Sequence, residues 1–230
     1  MNLPSEIKSI LQKLESAGFE AYVVGGCVRD LMLGKKPKDW DITTNAKPEE
    51  IQKIFPDSFY ENKFGTVGVK TGAEDESLKV VEITTFRIES KYTDKRHPDE
   101  IKFASKIDED LKRRDFTINA LAMDKDGKLI DLFGGQEDLQ KRLIRAVGEA
   151  KERFDEDALR LLRAIRFAVE INFEIEEKTL RAIKEKASLI QMIAKERIRD
   201  ELLKIIQHMP WPARAGGEKG KRHSNEVTEE

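Results

Sequence analysis

The chain has 230 residues, of which 37% are charged and 39% hydrophobic, and its formal net charge is −2. Its longest stretch without Asp, Glu, Lys or Arg has nine residues, whereas a spanning helix needs about 20 apolar residues, so a membrane protein is excluded. The single cysteine, Cys27, and the three histidines exclude an internal disulfide and a Cys/His zinc cluster. These features predict a cytoplasmic protein, in which a nucleic-acid partner has to be bound by a local basic surface.

The first 135 residues alternate between helical and strand-like patterns, as in a mixed domain. Apolar residues at spacings of three and four predict a helix over 4–18. The predicted elements that follow are a strand at 21–26, a helix at 28–33, a strand at 39–43, a helix at 47–55 and strands at 67–70, 79–87 and 129–133. Between the last two strands, the charged residues 88–110 predict a long loop.

After Gly134 the apolar pattern has the helical period throughout. The predicted helices cover 138–147, 154–170, 177–187 and 195–207. The sequence therefore predicts a mixed domain over 1–135 and a helical domain over 136–208. The remaining residues, 209–230, carry Gly, Pro and balanced charge, and we expect this tail to be disordered.

Two aspartates on one predicted strand are candidate metal ligands. Residues two apart on a strand point to the same face, about 6.5–7 Å apart. Asp39 and Asp41 so placed can share Mg²⁺ ions in two-metal phosphoryl transfer. Because acid-x-acid pairs are common by chance in a chain with 44 acidic residues, the pair alone is weak evidence.

The neighbouring sequence strengthens this hypothesis. Gly25 and Gly26 end a strand before a helix that carries Arg29, and such a turn exposes backbone N–H groups suited to a phosphate. An ordinary tight turn is the alternative. Glu82 interrupts an apolar strand, so it faces either solvent or the same site.

A charged stripe marks the helix that contains EDALRLLRAIRF, residues 156–167. Its opposite, apolar face is predicted to be formed by Leu161, Leu162, Ile165 and Val169. Asp157, Arg160 and Arg163 share the charged side, where Asp157 and Arg160 are one turn apart and close enough to pair. An Asp–Arg pair offers acceptors and donors to the edge of a base, and a solvated salt-bridged face is the alternative.

Six motifs resemble, in order, those of class II tRNA nucleotidyltransferases and bacterial poly(A) polymerases. They are VVGGCVRDLMLGKKPKDWDIT (23–43), VEITTFR (81–87), LKRRDFTINALAMD (111–124), DLFGG (131–135), EDALRLLRAIRF (156–167) and ERIRDELLKII (196–206). The resemblance implies a polymerase-β-like nucleotidyltransferase head, α+β with a small mixed β-sheet, followed by an all-α neck. Family members usually continue with a body and a tail, which this chain is expected to lack.

The resemblance also implies roles for single residues. Asp39 and Asp41 correspond to the catalytic carboxylates that bind Mg²⁺, and Glu82 falls where a further catalytic acid is found. Gly26 and Arg29 match the phosphate-binding turn. The other residues implied to bind the nucleotide are Arg114, Asp115, Asn119, Asp157, Arg160, Arg163 and Arg166.

The implied activity is CCA addition, in which the 3′-hydroxyl of a tRNA attacks the α-phosphate of CTP or ATP and releases pyrophosphate. The pattern YTDKRHPDE (92–100) resembles the flexible loop of enzymes that add the complete CCA end. An A-adding enzyme or a poly(A) polymerase is the alternative within the family, and a non-catalytic nucleotide- or RNA-binding fragment is the alternative outside it. The expected partners are CTP, ATP and the tRNA 3′ end, with no membrane, and no oligomeric state is predicted.

Overall fold

The computed structural model describes residues 3–62, 65–90 and 100–209. Helices and strands alternate in the first part of the chain. Its elements are α1 (Ser5–Ser16), β1 (Ala21–Val24), α2 (Gly26–Met32), β2 (Asp41–Thr44), α3 (Pro48–Ile54), β3 (Ser58–Asn62), β4 (Thr66–Lys70), α4 (Glu76–Lys79), β5 (Val80–Thr85), β6 (Arg87–Ser90), β7 (Glu100–Phe103), α5 (Ile107–Lys112), a 3₁₀ turn (Thr117–Asn119), β8 (Leu121–Met123) and β9 (Leu129–Asp131).

Seven strands of the described residues form one mixed sheet in the order β3-β4-β5-β2-β1-β8-β9. Neighbouring strands are antiparallel except β2 and β5, which are parallel. One row across the sheet consists of Val23, Ile42, Ile83 and Val67, and all four are fully buried. These side chains share a single apolar cluster with the buried side of α1, so this face of the sheet is the core.

The adjacent row of the sheet points to the other face. Asp41 is in register with Glu82, Glu82 with Gly68, and Gly68 with Phe59. Because successive residues of a strand point to opposite faces, this row lies on the side away from Ile42 and the core. The fold therefore presents two acids on neighbouring strands of one polar face.

The second part of the chain is mainly helical. Its elements are α6 (Gly135–Lys141), β10 (Leu143–Ile144), α7 (Ala150–Glu156), α8 (Leu159–Ile171), β11 (Glu174–Ile175), α9 (Glu177–Lys186), a 3₁₀ turn (Ala187–Met192) and α10 (Lys195–His208). Helix α8 packs on α10, and α7 packs on α9. A Cβ on Gly135 would lie 2.2 Å from the carbonyl oxygen of Thr117, so only glycine allows α6 to begin this close to the first part.

The α+β class with a small mixed sheet, followed by a helical part, is confirmed, and the structure departs from the predicted elements locally. The loop predicted over 88–110 is wrong where β6 and β7 form an antiparallel hairpin and α5 follows. The sequences RIES and EIKF contain many charged residues, so the alternation of apolar and polar residues that marks a strand is hard to see in them. These strands form a hairpin outside the main sheet, where charged residues on the open side are tolerated. Strand β3 was not predicted.

The helical period was also broken at two places. The helix predicted over 138–147 ends at Lys141, where Arg142 adopts a left-handed conformation with φ 56°. The short parallel ladder of β10 and β11 follows, so the neck is not purely helical. The helix predicted over 154–170 is split at Asp157, whose backbone is extended. The division into domains at residue 135 and the disorder of 209–230 stay predictions, and residues 210–230 lie outside the described ranges.

Candidate active site

A cleft of about 730 Å³ opens beside the polar face of the sheet and helix α8. Its lining includes every predicted site residue except Glu82, namely Gly26, Arg29, Asp39, Asp41, Arg114, Asp115, Asn119, Asp157, Arg160, Arg163 and Arg166. These residues come from α2, from β2 and the residues just before it, from the segment after α5, and from α8 and the break before it, which are far apart in sequence. The fold thus brings the separate sequence motifs to one cavity.

The two candidate metal ligands enter the cleft from different backbone settings. Asp41 is the first residue of β2, whereas Asp39 precedes the strand and is exposed. The prediction that both lie on one strand is therefore wrong, because the strand begins about two residues later than expected, a common error in predicting where an element starts. Both residues nevertheless line the cleft. Glu82 is exposed and in register with Asp41, but it does not line the cleft, so its catalytic role stays a prediction.

The donor atoms of Asp39 and Asp41 suit a hard cation. Both offer only carboxylate oxygens, the ligand type that Mg²⁺ prefers. In the described ranges, no group of three or more His, Cys, Asp or Glu is arranged to hold a metal ion. Mg²⁺ in nucleotide sites is usually held by one or two carboxylates together with substrate phosphates and water, so the pair fits a site that the nucleotide completes.

The glycine turn before α2 lies directly against an arginine of the cleft. Gly25 has φ 82° and ψ −132°, and a Cβ there would lie 3.0 Å from Nη1 of Arg114. Gly26 has no positive φ, and a Cβ on it would make an ordinary contact of 3.7 Å with Arg29. The position that requires glycine is therefore Gly25, which the sequence analysis did not select because a glycine pair does not reveal which member is strained.

A chain of buried hydrogen bonds joins the first part of the protein to α8. Arg29 binds Asp30 through Nε at 2.9 Å and donates from Nη1 to Asn119 at 2.8 Å. Asn119 donates to Asp115 at 3.1 Å, and Arg163 of α8 binds the other oxygen of Asp115 at 2.6 Å. Burial alone raises the pKa of the Asp115 carboxyl, but Arg163 and Asn119 outweigh it and bring the pKa to about 2. Asp115 is therefore a buried anion that anchors α8.

Asp110 is a second buried anion, which the sequence analysis missed. Arg113 donates to one of its oxygens at 2.9 and 2.8 Å, and Arg114 donates to the other at 3.1 Å. Burial raises the pKa of this carboxyl, yet the two guanidiniums lower it to about 2. Asp110 does not line the cleft and instead holds arginines that do. Its spacing of three and four residues before Arg113 and Arg114 on a helical turn was the available signal.

Asp157 and Arg160 both line the cleft, but their side chains bind other partners instead of forming the pair that their spacing allows. Asp157 accepts a hydrogen bond from the backbone N–H of Leu159 at 3.0 Å and lies 3.4 Å from Nη2 of Arg197. Arg160 binds Glu156 at 2.6 Å and donates to two backbone carbonyls. The break between α7 and α8 turns Asp157 into a helix cap, which places it off the regular helical face.

The predicted apolar face of α8 is correct in part. Leu161 and Leu162 are buried, whereas Ile165 is 38% exposed and Val169 is half-buried. Helix α8 contacts both α10 and the first part of the chain, so its buried surface is wider than one stripe. Besides Gly25, eight residues that were not predicted also line the cleft: Asp30, Lys38, Arg87, Arg113, Leu159, Phe167, Glu170 and Arg197.

Comparisons with known proteins agree with this geometry. The sequence profile described as "Poly A polymerase head domain" matches residues 21–145, and the profile described as "Probable RNA and SrmB- binding site of polymerase A" matches residues 172–212. A CCA-adding enzyme of Lactobacillus helveticus is 54% identical over 197 residues, covering 85% of this chain and 48% of the relative. One of Lactococcus lactis subsp. cremoris is 50% identical over 213 residues, covering 91% and 52%.

Solved structures give the same result. The Bacillus stearothermophilus CCA-adding enzyme in complex with CTP has a TM-score of 0.80 at 43% identity, over 88% of this chain and 48% of that one. A tRNA nucleotidyltransferase complexed with a primer tRNA and an incoming ATP analogue has a TM-score of 0.70 at 32% identity, over 86% and 58%. The chain spans about half the length of the curated relatives it matches. Because the head-domain profile covers more than half of the chain and the fold agrees, the chain belongs to the poly(A) polymerase head-domain family of nucleotidyltransferases.

Proposed function

We propose that the chain adds CMP and AMP to the 3′ end of tRNA and so builds the CCA sequence. The reaction is attack of the RNA 3′-hydroxyl on the α-phosphate of CTP or ATP, with release of pyrophosphate. One observation carries the proposal: two carboxylates, Asp39 and Asp41, share a cleft with a dense set of arginine and asparagine donors. The curated relatives are CCA-adding enzymes, and similar structures hold CTP or a primer tRNA with an ATP analogue.

The basic residues near the glycine turn bind the triphosphate in this proposal. Arg29 is fixed by Asp30 and Asn119, and Arg114 is fixed by Asp110. A guanidinium has five N–H donors, so each keeps donors for phosphate oxygens after these bonds are made. The head-domain family generally uses a divalent metal. Mg²⁺ held by Asp39 and Asp41 would supply positive charge that lowers the pKa of the 3′-hydroxyl and stabilises the leaving pyrophosphate.

Helix α8 selects the base in this proposal. Cytosine and adenine carry an exocyclic amino group at the edge where uracil and guanine carry a carbonyl. A carboxylate accepts a hydrogen bond from such an amino group, and Asp157 lines the cleft with acceptor capacity beyond its bond to Leu159. Three bonds already engage Arg160, so its role is to present its remaining donors in a fixed orientation.

CCA addition is favoured over the related activities by the sequence and by the relatives. The pattern at 92–100 resembles the loop of enzymes that add the whole CCA end, although residues 92–99 lie outside the described ranges. The curated relatives at 50–54% identity are CCA-adding enzymes. We place the reaction in the cytoplasm because tRNA and nucleoside triphosphates are its substrates. No helix in the described ranges is long and apolar enough to cross a membrane.

The test is incorporation of single nucleotides into a defined RNA. A tRNA transcript without its CCA end is incubated with Mg²⁺ and each labelled nucleoside triphosphate in turn. We expect CTP alone to extend the transcript, ATP to extend it only after CTP, and UTP and GTP to fail. A long A tail would identify a poly(A) polymerase, and addition of AMP only to a transcript ending in CC would identify an A-adding enzyme. No incorporation in any of these reactions would contradict the proposal.

A further inference from the structure

The aromatic ring of Phe167 lies among three arginines of the cleft. The centroid of the ring is 4.4 Å from the guanidinium carbon of Arg166 and 5.2 Å from those of Arg29 and Arg163. All three arginines line the cleft, and so does Phe167. A guanidinium within about 6 Å of a ring centroid is attracted by the negative potential of the ring face. One ring therefore lies within cation–π range of three cations.

Both parts of the chain fix the ring of Phe167. Its side chain belongs to α8 and is only 4% exposed. Phe116, which lies just before the 3₁₀ turn of the first part and is fully buried, packs edge-on against it at 5.9 Å and 82°. Arg29 comes from α2, whereas Arg163 and Arg166 come from α8. The ring is thus a fixed element at the boundary that the cleft occupies.

The three arginines need such an element because they lie close together. Burial and the charge of Arg163 both lower the pKa of Arg166, which is the expected effect of like charges held near each other. Each of the three guanidiniums also binds a carboxylate along one edge. These carboxylates belong to Asp30, Asp115 and Glu201. A further acid would occupy more N–H donors and repel a triphosphate, whereas a ring face attracts the flat side of a guanidinium and leaves its N–H donors available.

We propose that Phe167 is a positioning residue that orders Arg29, Arg163 and Arg166 through its ring faces, so that their N–H donors point into the cleft. The inference rests on the proposed function, because the ligand that these donors receive is a nucleoside triphosphate. Phe167 does not need to touch the nucleotide. Its effect is on the affinity for CTP and ATP and not on the chemistry at Asp39 and Asp41.

The first measurement does not depend on the nucleotide. The side-chain N–H resonances of the arginines are recorded by NMR in the unliganded chain and in Phe167→Leu, which keeps an apolar side chain without a ring. We expect the leucine variant to lose the ring-current shifts and to speed up rotation of the guanidiniums of Arg163 and Arg166. Unchanged resonances in a folded Phe167→Leu would overturn the proposal, whatever the protein does with nucleotides.

The second measurement grades the strength of the ring face. Phenylalanines with one, two or three ring fluorines are placed at 167, because each fluorine weakens the negative potential while the volume changes little. We expect the Kd of CTP and of ATP, measured by calorimetry, to rise stepwise to about three- to tenfold. The matched control is the same series at Phe154, a fully buried ring of α7 for which the described residues show no cation–π contact.

The outcomes separate the two proposals. A stepwise rise at 167 with a flat series at 154 supports the positioning role, and equal rises at both sites would show a general packing effect and overturn it. If the unmodified chain binds neither CTP nor ATP, the proposed function fails. The arginine resonances of Phe167→Leu then still decide whether the ring orders the guanidiniums.

Discussion

The carboxylates around the cleft divide into buried and exposed groups. Asp110 is 0% exposed and binds a guanidinium with each of its two oxygens. Asp115 is 7% exposed and binds the guanidinium of Arg163 with one oxygen and the amide of Asn119 with the other. Asp39 is exposed, and Asp41 is half-buried at the start of β2. Buried, paired carboxylates are held in one geometry, whereas exposed ones can reach a metal and a substrate. We therefore expect the first pair to support the cleft and the second pair to take part in the proposed chemistry.

This division predicts opposite effects of isosteric substitutions. Asp39→Asn or Asp41→Asn removes a negative oxygen from the proposed metal site, and we expect CMP incorporation to fall by about a thousandfold or more, since metal charge stabilisation provides several kcal/mol. The melting temperature should change by no more than about 2 °C, because Asp39 is exposed and Asp41 is not in the core. Full incorporation by either variant in the tRNA assay contradicts the assignment.

Base selection is predicted to depend on Asp157, which also caps α8 through Leu159. Asp157→Ser keeps a capping oxygen but removes the carboxylate that accepts from an amino group. Losing this bond costs about 1–3 kcal/mol, so the ratio of kcat/KM for CTP to that for UTP should fall by about one to two orders of magnitude. Asp155→Asn is the control, because Asp155 lies two residues earlier on α7, pairs with Lys186 and does not line the cleft. An unchanged ratio in Asp157→Ser shows that the helix does not read the base.

The helices and strands that could be predicted from the sequence are those whose own apolar residues follow a regular period. Helix α1 and strand β1 were found because their apolar residues follow one period and contact one core. The break at Asp157 was missed because apolar residues continue on both sides of it, and only the cap bond to Leu159 distinguishes two helices from one. The residues of the cleft could be predicted because they lie in recognisable motifs. The contacts between them could not be predicted, since pairs such as Arg163 and Asp115 are 48 residues apart in the sequence.

The anchor of α8 predicts a pH dependence of stability. Asp115 has a folded pKa of about 2, below the usual 3.8, so its contribution to the free energy of unfolding is present above about pH 4 and is lost as the pH falls through about 2. A shift of this size corresponds to about 2–3 kcal/mol at neutral pH. Asp115→Asn should lower the free energy of unfolding in urea by about this amount at pH 7 and by much less at pH 2.

The control for this pH series is Asp200→Asn. Asp200 lies on α10, pairs with Arg199, and about half of its side chain is exposed. Exposed pairs contribute about 0–1 kcal/mol, so this variant should follow the unmodified chain at every pH. A parallel loss in Asp115→Asn at pH 7 and pH 2 would mean that the charge of Asp115 is not what anchors the helix.

Over the whole molecule, charge is unevenly distributed. The chain has 42 basic and 44 acidic residues, yet the cleft is lined by nine basic and six acidic side chains. Arginines also bridge the two parts of the chain at its edge, since Arg153 and Arg160 donate to the carbonyls of Lys112 and Arg113. The local basic surface that an RNA partner requires is therefore present in a protein with a net charge of −2.

This distribution predicts where salt acts on RNA binding. Each phosphate contact adds about 0.7–0.9 to the slope of log affinity against log salt concentration, because counterions are released. Lys38 is exposed and lines the cleft beside Asp39, so we expect its ammonium to contact a phosphate of the bound RNA. We expect Lys38→Ala to weaken binding of a tRNA acceptor-stem RNA and to reduce the slope by about one contact.

Lys141→Ala removes the same charge from an exposed lysine of α6 that does not line the cleft, and it should leave the slope unchanged. Filter-binding titrations over a series of KCl concentrations measure both slopes. Equal slopes for the two variants would mean that RNA contacts basic residues outside the cleft, and the site of RNA binding would then have to be sought on another surface.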